Sequence, residues 1–145
     1  MRTYRSTRAF TLIELLLVLV ILATLAAIVT PKFANRSKQA KVTQVKTQIE
    51  NFKTAIATFE IDVGRYPTTS EGLEALVKEP TNAEGWQSAY LDGGVPLDPW
   101  GNEYIYKIPG SYNEDGYDLY STGPDGKTGG DDDIKNWLDD DERSD

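Results

Sequence analysis

Neither cysteine nor histidine occurs anywhere in the 145 residues. Without cysteine there is no disulfide framework, no zinc ribbon and no thiol nucleophile. Without histidine the commonest general base and the commonest transition-metal ligand are missing, which excludes Ser-His-Asp and Cys-His hydrolases. Any metal bound here would be a hard cation held by oxygens. Positive charge is also scarce, but only in one part of the chain. Residues 1–53 carry nine Lys/Arg against Glu14 and Glu50, whereas residues 54–145 carry six against twenty-one acids. The formal charge of −8 therefore hides +7 on the first part and −15 on the second. Such asymmetry points to a membrane-facing basic end and an acidic domain in water. A nucleic-acid arm is the other reading of the basic part, and its lipid-like centre argues against it.

That centre runs from Phe10 to Val29, FTLIELLLVLVILATLAAIV, with Glu14 as its one charge. At a helical rise of about 1.5 Å per residue it spans roughly 30 Å, the thickness of a bilayer core. A single domain of this size cannot bury a helix that is apolar all round. Two membrane readings remain, a retained anchor and a cleaved export signal. Arg2, Arg5 and Arg8 form a positive leader, and Thr24-Leu25-Ala26 is a poor signal-peptidase site. The run is long for an export signal, and an acid in it costs energy on insertion that a discarded segment has no reason to bear. Lys32, Arg36, Lys38 and Lys41 flank the far end, so charge alone does not orient the segment.

The stretch Arg8-Ala9-Phe10-Thr11-Leu12-Ile13-Glu14-Leu15 resembles the processing site of type IV prepilins and pseudopilins. The resemblance implies that residues 1–9 are a leader, cut by prepilin peptidase between Ala9 and Phe10. It implies that Phe10 becomes the N-methylated mature N-terminus and that Glu14 is the acid of the fifth mature position. Ala9 stands where the family usually has glycine, and it is small enough for processing to be expected. By the same likeness, Glu14 of one subunit meets the Phe10 amine of a neighbour and sets the register of a growing filament. Two unit charges brought to ~4 Å at an effective dielectric of ~20 attract by about 4 kcal/mol before desolvation. The alternative is a membrane-edge glutamate that snorkels to the headgroups without further role. Pro31 cannot donate a backbone hydrogen bond and is expected to break or loosen the helix at the membrane exit. Ala23 occupies a position where pilins often have glycine.

Beyond Pro31 the helix pattern resumes with different chemistry. Val42, Val45, Ile49, Phe52, Ile56, Phe59 and Val63 recur every three or four residues. They form an apolar stripe on a stalk helix over residues 32–62, which Gly64 ends. The spacing also suits a two-stranded coiled coil, but a sizeable domain follows and the stripe is expected to pack on it. Thr68 and Glu71 have capping-box spacing ahead of Leu73, Leu76 and Val77, which predicts a second, short helix ended by Pro80. Residues 81–97 read as loop, with Trp86 and Tyr90 as anchors. Asp98-Pro99-Trp100-Gly101-Asn102 is a turn. The aromatic-rich runs Glu103–Ile108 and Tyr117–Ser121 read as an antiparallel hairpin, their rings spent on packing rather than on a sugar or base platform.

Residues 123–133, GPDGKTGGDDD, combine four carboxylates with four glycines. Glycines allow one loop to wrap an ion, and adjacent acids supply hard ligands. It is not an EF-hand, because Lys127 stands where an acid belongs and the closing Glu is missing. From the residues alone, a calcium loop and a flexible acidic turn both remain open.

Tyr66-Pro67-Thr68-Thr69, Glu71-Gly72-Leu73, Asp98-Pro99-Trp100-Gly101-Asn102, Tyr117-Asp118-Leu119, Gly123-Pro124-Asp125-Gly126, Asp132-Asp133-Ile134 and Asn136-Trp137 together resemble the major pseudopilin of type II secretion systems. They run in the family's order through almost the whole chain. The fold so implied is α+β and type IV pilin-like. A long N-terminal helix (membrane segment 10–30, then stalk) packs on a small antiparallel sheet in a periplasmic head, residues 31–145. The likeness also implies calcium in the loop 122–133, held by Asp125, Asp132 and Asp133 with the backbone carbonyls of Thr122 and Gly130. Asp131 is then a solvated neighbour.

The function implied is that of a non-enzymatic subunit of a periplasmic filament that helps export folded proteins across the outer membrane. Implied partners are further copies of itself, minor pseudopilins, an inner-membrane assembly platform with its ATPase, prepilin peptidase and the lipid bilayer, with no nucleic acid. The expected location is the bacterial inner membrane, single-pass, with the leader cytoplasmic before processing. Two alternatives stand beside it. One is a type IV pilin for adhesion, motility or DNA uptake; the other is a Sec-secreted calcium-binding module that loses its first 26 residues.

Overall fold

The computed structural model of the chain describes residues 10–138, and of residues 28–35 only the backbone. It divides into two compact units, Met1–Ala40 and Lys41–Asp145. Helix α1, Leu12–Val63, contributes to both. The break expected at Pro31 does not interrupt it: the backbone is helical on both sides of the proline and through it. One proline costs a helix about 3 kcal/mol and one hydrogen bond, and the long helical runs on either side absorb that loss. At the other end α1 stops where glycine is expected. Gly64 adopts φ +79, a left-handed conformation that costs any other residue energy, and its N–H closes the last turn on the Glu60 carbonyl at 2.8 Å.

In the first unit the side chains of α1 described up to Ala27 are exposed on every face. Among the described residues no helix is long and apolar enough to cross a membrane. The membrane segment read from the sequence, 10–30, runs on into residues whose side chains are not described, and the leader 1–9 lies wholly outside.

In the second unit the apolar stripe is buried as its spacing requires. Val45, Phe52, Ile56 and Phe59 are fully covered and Ile49 nearly so. They pack against Leu73, Leu76, Tyr104, Tyr106, Leu119 and Ile134. The Phe52 ring meets Tyr104 edge-on at 5.0 Å, and Phe59 meets Tyr90 at 5.7 Å. A coiled-coil partner is therefore not needed to cover the stripe. The short helix after Thr68 is a single 3-10 turn, Gly72–Leu76, that buries Leu73, Ala75 and Leu76. Trp86 and Tyr90 anchor the following loop through hydrogen bonds to the Ala75 carbonyl (3.1 Å) and the Asp62 carboxylate (3.1 Å).

The hairpin is present and shorter than the sequence runs suggest. Strand β1, Ile105–Lys107, pairs antiparallel with β2, Asp118–Ser121, in the register Tyr106↔Leu119. A third strand, β3 (Ile134–Lys135), completes the sheet in the order β1-β2-β3. Two residues are too few to leave a periodic signal in the sequence.

The entry to this layer is held by charge. Arg65 makes a forked pair of hydrogen bonds to Glu71, at 2.7 and 2.8 Å. Glu71 also accepts the Thr68 N–H at 2.7 Å, which completes the capping box. The Arg65 hydrogen bonds hold the Glu71 carboxyl down at about 2, against an ordinary 4.5. A folded-state pKa below the unfolded one favours the native state above pH 4.5 and loses that favour as pH falls toward 2. The pair is partly exposed, so screening reduces the effect to on the order of 1 kcal/mol. Glu71→Gln is expected to flatten this part of the acid limb in urea-midpoint measurements between pH 4.5 and 2. An unchanged limb would show that the fork carries no net stability.

Candidate assembly and cation sites

The first site lies at the start of α1. Phe10 and Leu12 are exposed, at 75% and 85%, and Ala9 lies outside the described residues. Thr11 is the residue just before the helix. Its hydroxyl accepts the Glu14 N–H at 3.3 Å, while Oε2 of Glu14 accepts the Thr11 N–H at 3.1 Å and the Thr11 hydroxyl at 3.3 Å. This is a complete capping box, which satisfies donors that every helix start leaves orphaned. Glu14 thus has a role within its own subunit, and the negative charge suits the positive end of the helix dipole. The signal was available in the sequence, since Thr11 and Glu14 have the same spacing as Thr68 and Glu71. Beyond the box a band of large apolar side chains from Leu15 to Leu25 stays exposed in the isolated subunit. An apolar surface of this extent requires lipid or other protein to cover it.

The second site is the loop from Thr122 to Asp133, which connects β2 to β3. Its ends are pinned by the Ser121↔Ile134 strand pair. Thr122 is buried. Gly123–Asp125 forms a 3-10 turn with Pro124 inside it, and Gly126 reverses the chain at φ +69. Oδ1 of Asp125 accepts the Lys127 N–H at 2.8 Å, and Oδ2 of Asp132 accepts the Asp125 N–H at 3.3 Å. Oδ2 of Asp133 accepts the Gly129 N–H at 2.8 Å. The Gly130 carbonyl accepts the Asp133 N–H at 3.3 Å. Asp131 is exposed, as expected of a solvated neighbour.

Two features test whether a cation suits these residues. A side chain at position 130 would place its Cβ 2.5 Å from Oδ1 of Asp132 and 3.8 Å from Oδ2 of Asp125. Glycine thus lets the Asp132 carboxylate close onto the backbone there, with the Asp125 carboxylate beside it. In addition, Oδ1 of Asp133 is buried with no hydrogen-bond partner, and an unsatisfied buried carboxylate oxygen is costly. Hard oxygens, a negative cradle and one oxygen wanting a partner fit a calcium-type ion. The structure does not bring the three side chains into one closed shell: among the described residues no group of three acids is gathered to hold a metal. Asp125 and Asp132 both approach Gly130, and Oδ2 of Asp133 is turned onto the Gly129 amide.

Two family models match the chain, one on each side of Pro31. The family model described as "Type II secretion system (T2SS), protein G" matches residues 32–137. The one described as "Prokaryotic N-terminal methylation motif" matches residues 4–30. The chain is 45% identical over 139 residues to "Type II secretion system core protein G" of Pseudomonas aeruginosa, covering 92% of this chain and 96% of that one. It is 38% identical to the protein of the same name in Escherichia coli K12, covering 94% and 95%. Among solved structures it resembles the major pseudopilin from the type 2 secretion system of enterohaemorrhagic Escherichia coli. There the TM-score is 0.64 and the identity 34%, over 71% of this chain and 87% of that one.

The capping box carries its own test. Thr11→Val removes the hydroxyl at a cost of about 1 kcal/mol. First-turn amides of α1 are then expected to exchange with solvent roughly five-fold faster in detergent micelles, with the second unit unchanged. Equal exchange in both proteins would show that the box does not hold the helix start.

Proposed function

The chain belongs to the protein G family of the type II secretion system and is a pseudopilus subunit serving secretion, and from that premise we propose how its two sites act. The protein is a structural element with no reaction of its own, anchored in the inner membrane by residues 10–30 with its head in the periplasm. Prepilin peptidase removes residues 1–9 and leaves a methylated Phe10. The observation that carries the reading is the change of chemistry along α1. Its first part exposes apolar side chains on all faces, and its second buries one stripe under the head. The first part is held in lipid as a stored subunit and by neighbouring copies in the filament.

Glu14 sets the register of stacking. A carboxylate offers about four lone-pair sites, and both capping contacts in the subunit go to Oε2. It can therefore keep its own cap while it accepts the Phe10 ammonium of a neighbour. The box holds the side chain in place before the neighbour arrives, so less rotamer freedom is lost on assembly. An inner-membrane platform and its ATPase drive the addition of subunits, and minor pseudopilins are the other filament partners.

Mass spectrometry of the native protein tests the first half of this reading. The expected mature N-terminus is methyl-Phe10 followed by Thr-Leu-Ile-Glu; a start at Ala27 would overturn it. Glu14→Leu is expected to leave a membrane-inserted protein that no longer enters sheared filaments. Filaments at normal yield would remove the register role.

In the head, Asp125, Asp132 and Asp133 with the carbonyls of Thr122 and Gly130 hold calcium. The ion neutralises the converging carboxylates and ties together a loop with little apolar surface of its own. Support comes from the approach of the Asp125 and Asp132 carboxylates to the same face of Gly130 and from the unpartnered Asp133 oxygen. At free calcium 100-fold above its dissociation constant the head gains roughly 2.7 kcal/mol. Calcium is expected to protect the C-terminal segment of the native protein from protease, and Asp125→Ala or Asp132→Ala to abolish that protection. If chelator leaves the protease resistance of the unmodified protein unchanged, the calcium reading fails.

A further inference from the structure

The turn 98–102 is far from the loop 122–133 in sequence, and the calcium reading makes no use of it. It nevertheless grips that loop at one residue from two sides. Asp98 is buried, 5% exposed. Its Oδ1 accepts the N–H groups of Trp100 (2.9 Å) and Asn102 (2.8 Å), and its Oδ2 accepts the Ser121 hydroxyl at 2.6 Å. Burial alone would raise the Asp98 pKa, but these hydrogen bonds from Ser121, Asn102 and Trp100 outweigh it and hold the carboxyl below its ordinary value. Ser121 is fully buried. With its proton given to Asp98, its oxygen accepts the Gly123 N–H at 3.1 Å. From the other side, Nδ2 of Asn102 donates to the Gly123 carbonyl at 2.9 Å.

The Gly123 N–H and the Thr122 carbonyl belong to one peptide plane. In a trans peptide they point in opposite directions. Fixing the N–H on Ser121 therefore fixes where the Thr122 oxygen points. Fixing the next carbonyl on Asn102 sets the following plane, which leads through Pro124 to Asp125. We propose that Ser121 and Asn102, held by Asp98, are positioning residues of the calcium loop that orient the Thr122 carbonyl and the Asp125 carboxylate before the ion binds. This rests on the calcium reading above and deepens it. None of the three residues is among the proposed ligands; Ser121 and Asn102 would act through the Gly123 backbone they hold, and Asp98 through Ser121 and the Asn102 amide.

Calcium titration calorimetry and melting in chelator and in saturating calcium test the proposal, on the full-length protein in micelles. The unmodified protein comes first: a calcium-dependent rise in melting temperature supports the calcium reading, and its absence overturns that reading and this one together. Ser121→Ala and Asn102→Ala each remove one hydrogen bond that orients the loop. Each is expected to weaken calcium binding roughly three- to ten-fold and to shrink the calcium-induced rise in melting temperature. Thr69→Val serves as the control. It removes the Thr69 hydroxyl's bonds with the Ile108 backbone, at 2.8 and 2.9 Å, far from the loop. It is expected to lower melting equally in chelator and calcium, with affinity unchanged. If Ser121→Ala and Asn102→Ala instead behave like Thr69→Val while the unmodified protein binds calcium, the turn is a structural brace only and the proposal is overturned.

Discussion

Everything in the head leans on one buried stripe of α1. The sheet has strands of three, four and two residues, and so few paired residues cannot hold themselves together in water. Phe52, Ile56 and Phe59 supply the surface on which Tyr104, Tyr106 and Leu119 collect. Fully burying each such side chain contributes roughly 1.5–3 kcal/mol. The loop that carries the candidate cation site is pinned at its ends by the strand pair Ser121↔Ile134. A head without its stretch of α1 would lose its core.

The sequence made that part legible for a physical reason. A helical stripe repeats over many residues, so Val42 to Val63 announces itself by period alone. Gly64 as the stop and Thr68 with Glu71 as a cap are local chemistry, equally visible. What stayed hidden is what depends on contacts between distant residues. Strand β3 has two residues and exists only because Ile134 and Lys135 meet Ser121 and Tyr120. The grip of Asp98 on Ser121 joins positions 23 residues apart. Pro31 was visible and its effect was not, because local propensity says what a proline removes and the flanking helix decides whether it matters. The acids of the loop were legible as a group. Which of them converge depends on the turn at Gly123–Asp125.

The composition also explains how this head closes its turns. Lacking cysteine, it uses carboxylates against backbone N–H groups in place of cross-links. Asp118 accepts from Ser111, Tyr112 and Asn113; Asp98 from Trp100 and Asn102; Glu71 from Thr68; Asp125 from Lys127; Asp133 from Gly129. A charged acceptor makes the stronger kind of hydrogen bond, and a cluster of amides is a natural anion cradle. Part of the head's large negative charge is therefore structural.

This use of acids makes the loop 122–133 stand out within its own molecule. At Asp98 and Asp118 the carboxylate oxygens meet two or more protein donors, and the turn closes without help. In the loop Asp125, Asp132 and Asp133 each accept a backbone amide, and Oδ1 of Asp133 is buried with nothing to accept from. Two remedies exist for such an oxygen, water or a cation. Water would satisfy it but leave the facing charges of Asp125 and Asp132 repelling each other across Gly130. Under the calcium reading, a hard dication offsets the repulsion between those two carboxylates. Thus the same chemistry, a carboxylate against backbone N–H groups, recurs in several turns of the head. The loop differs in keeping one buried carboxylate oxygen that meets no protein donor.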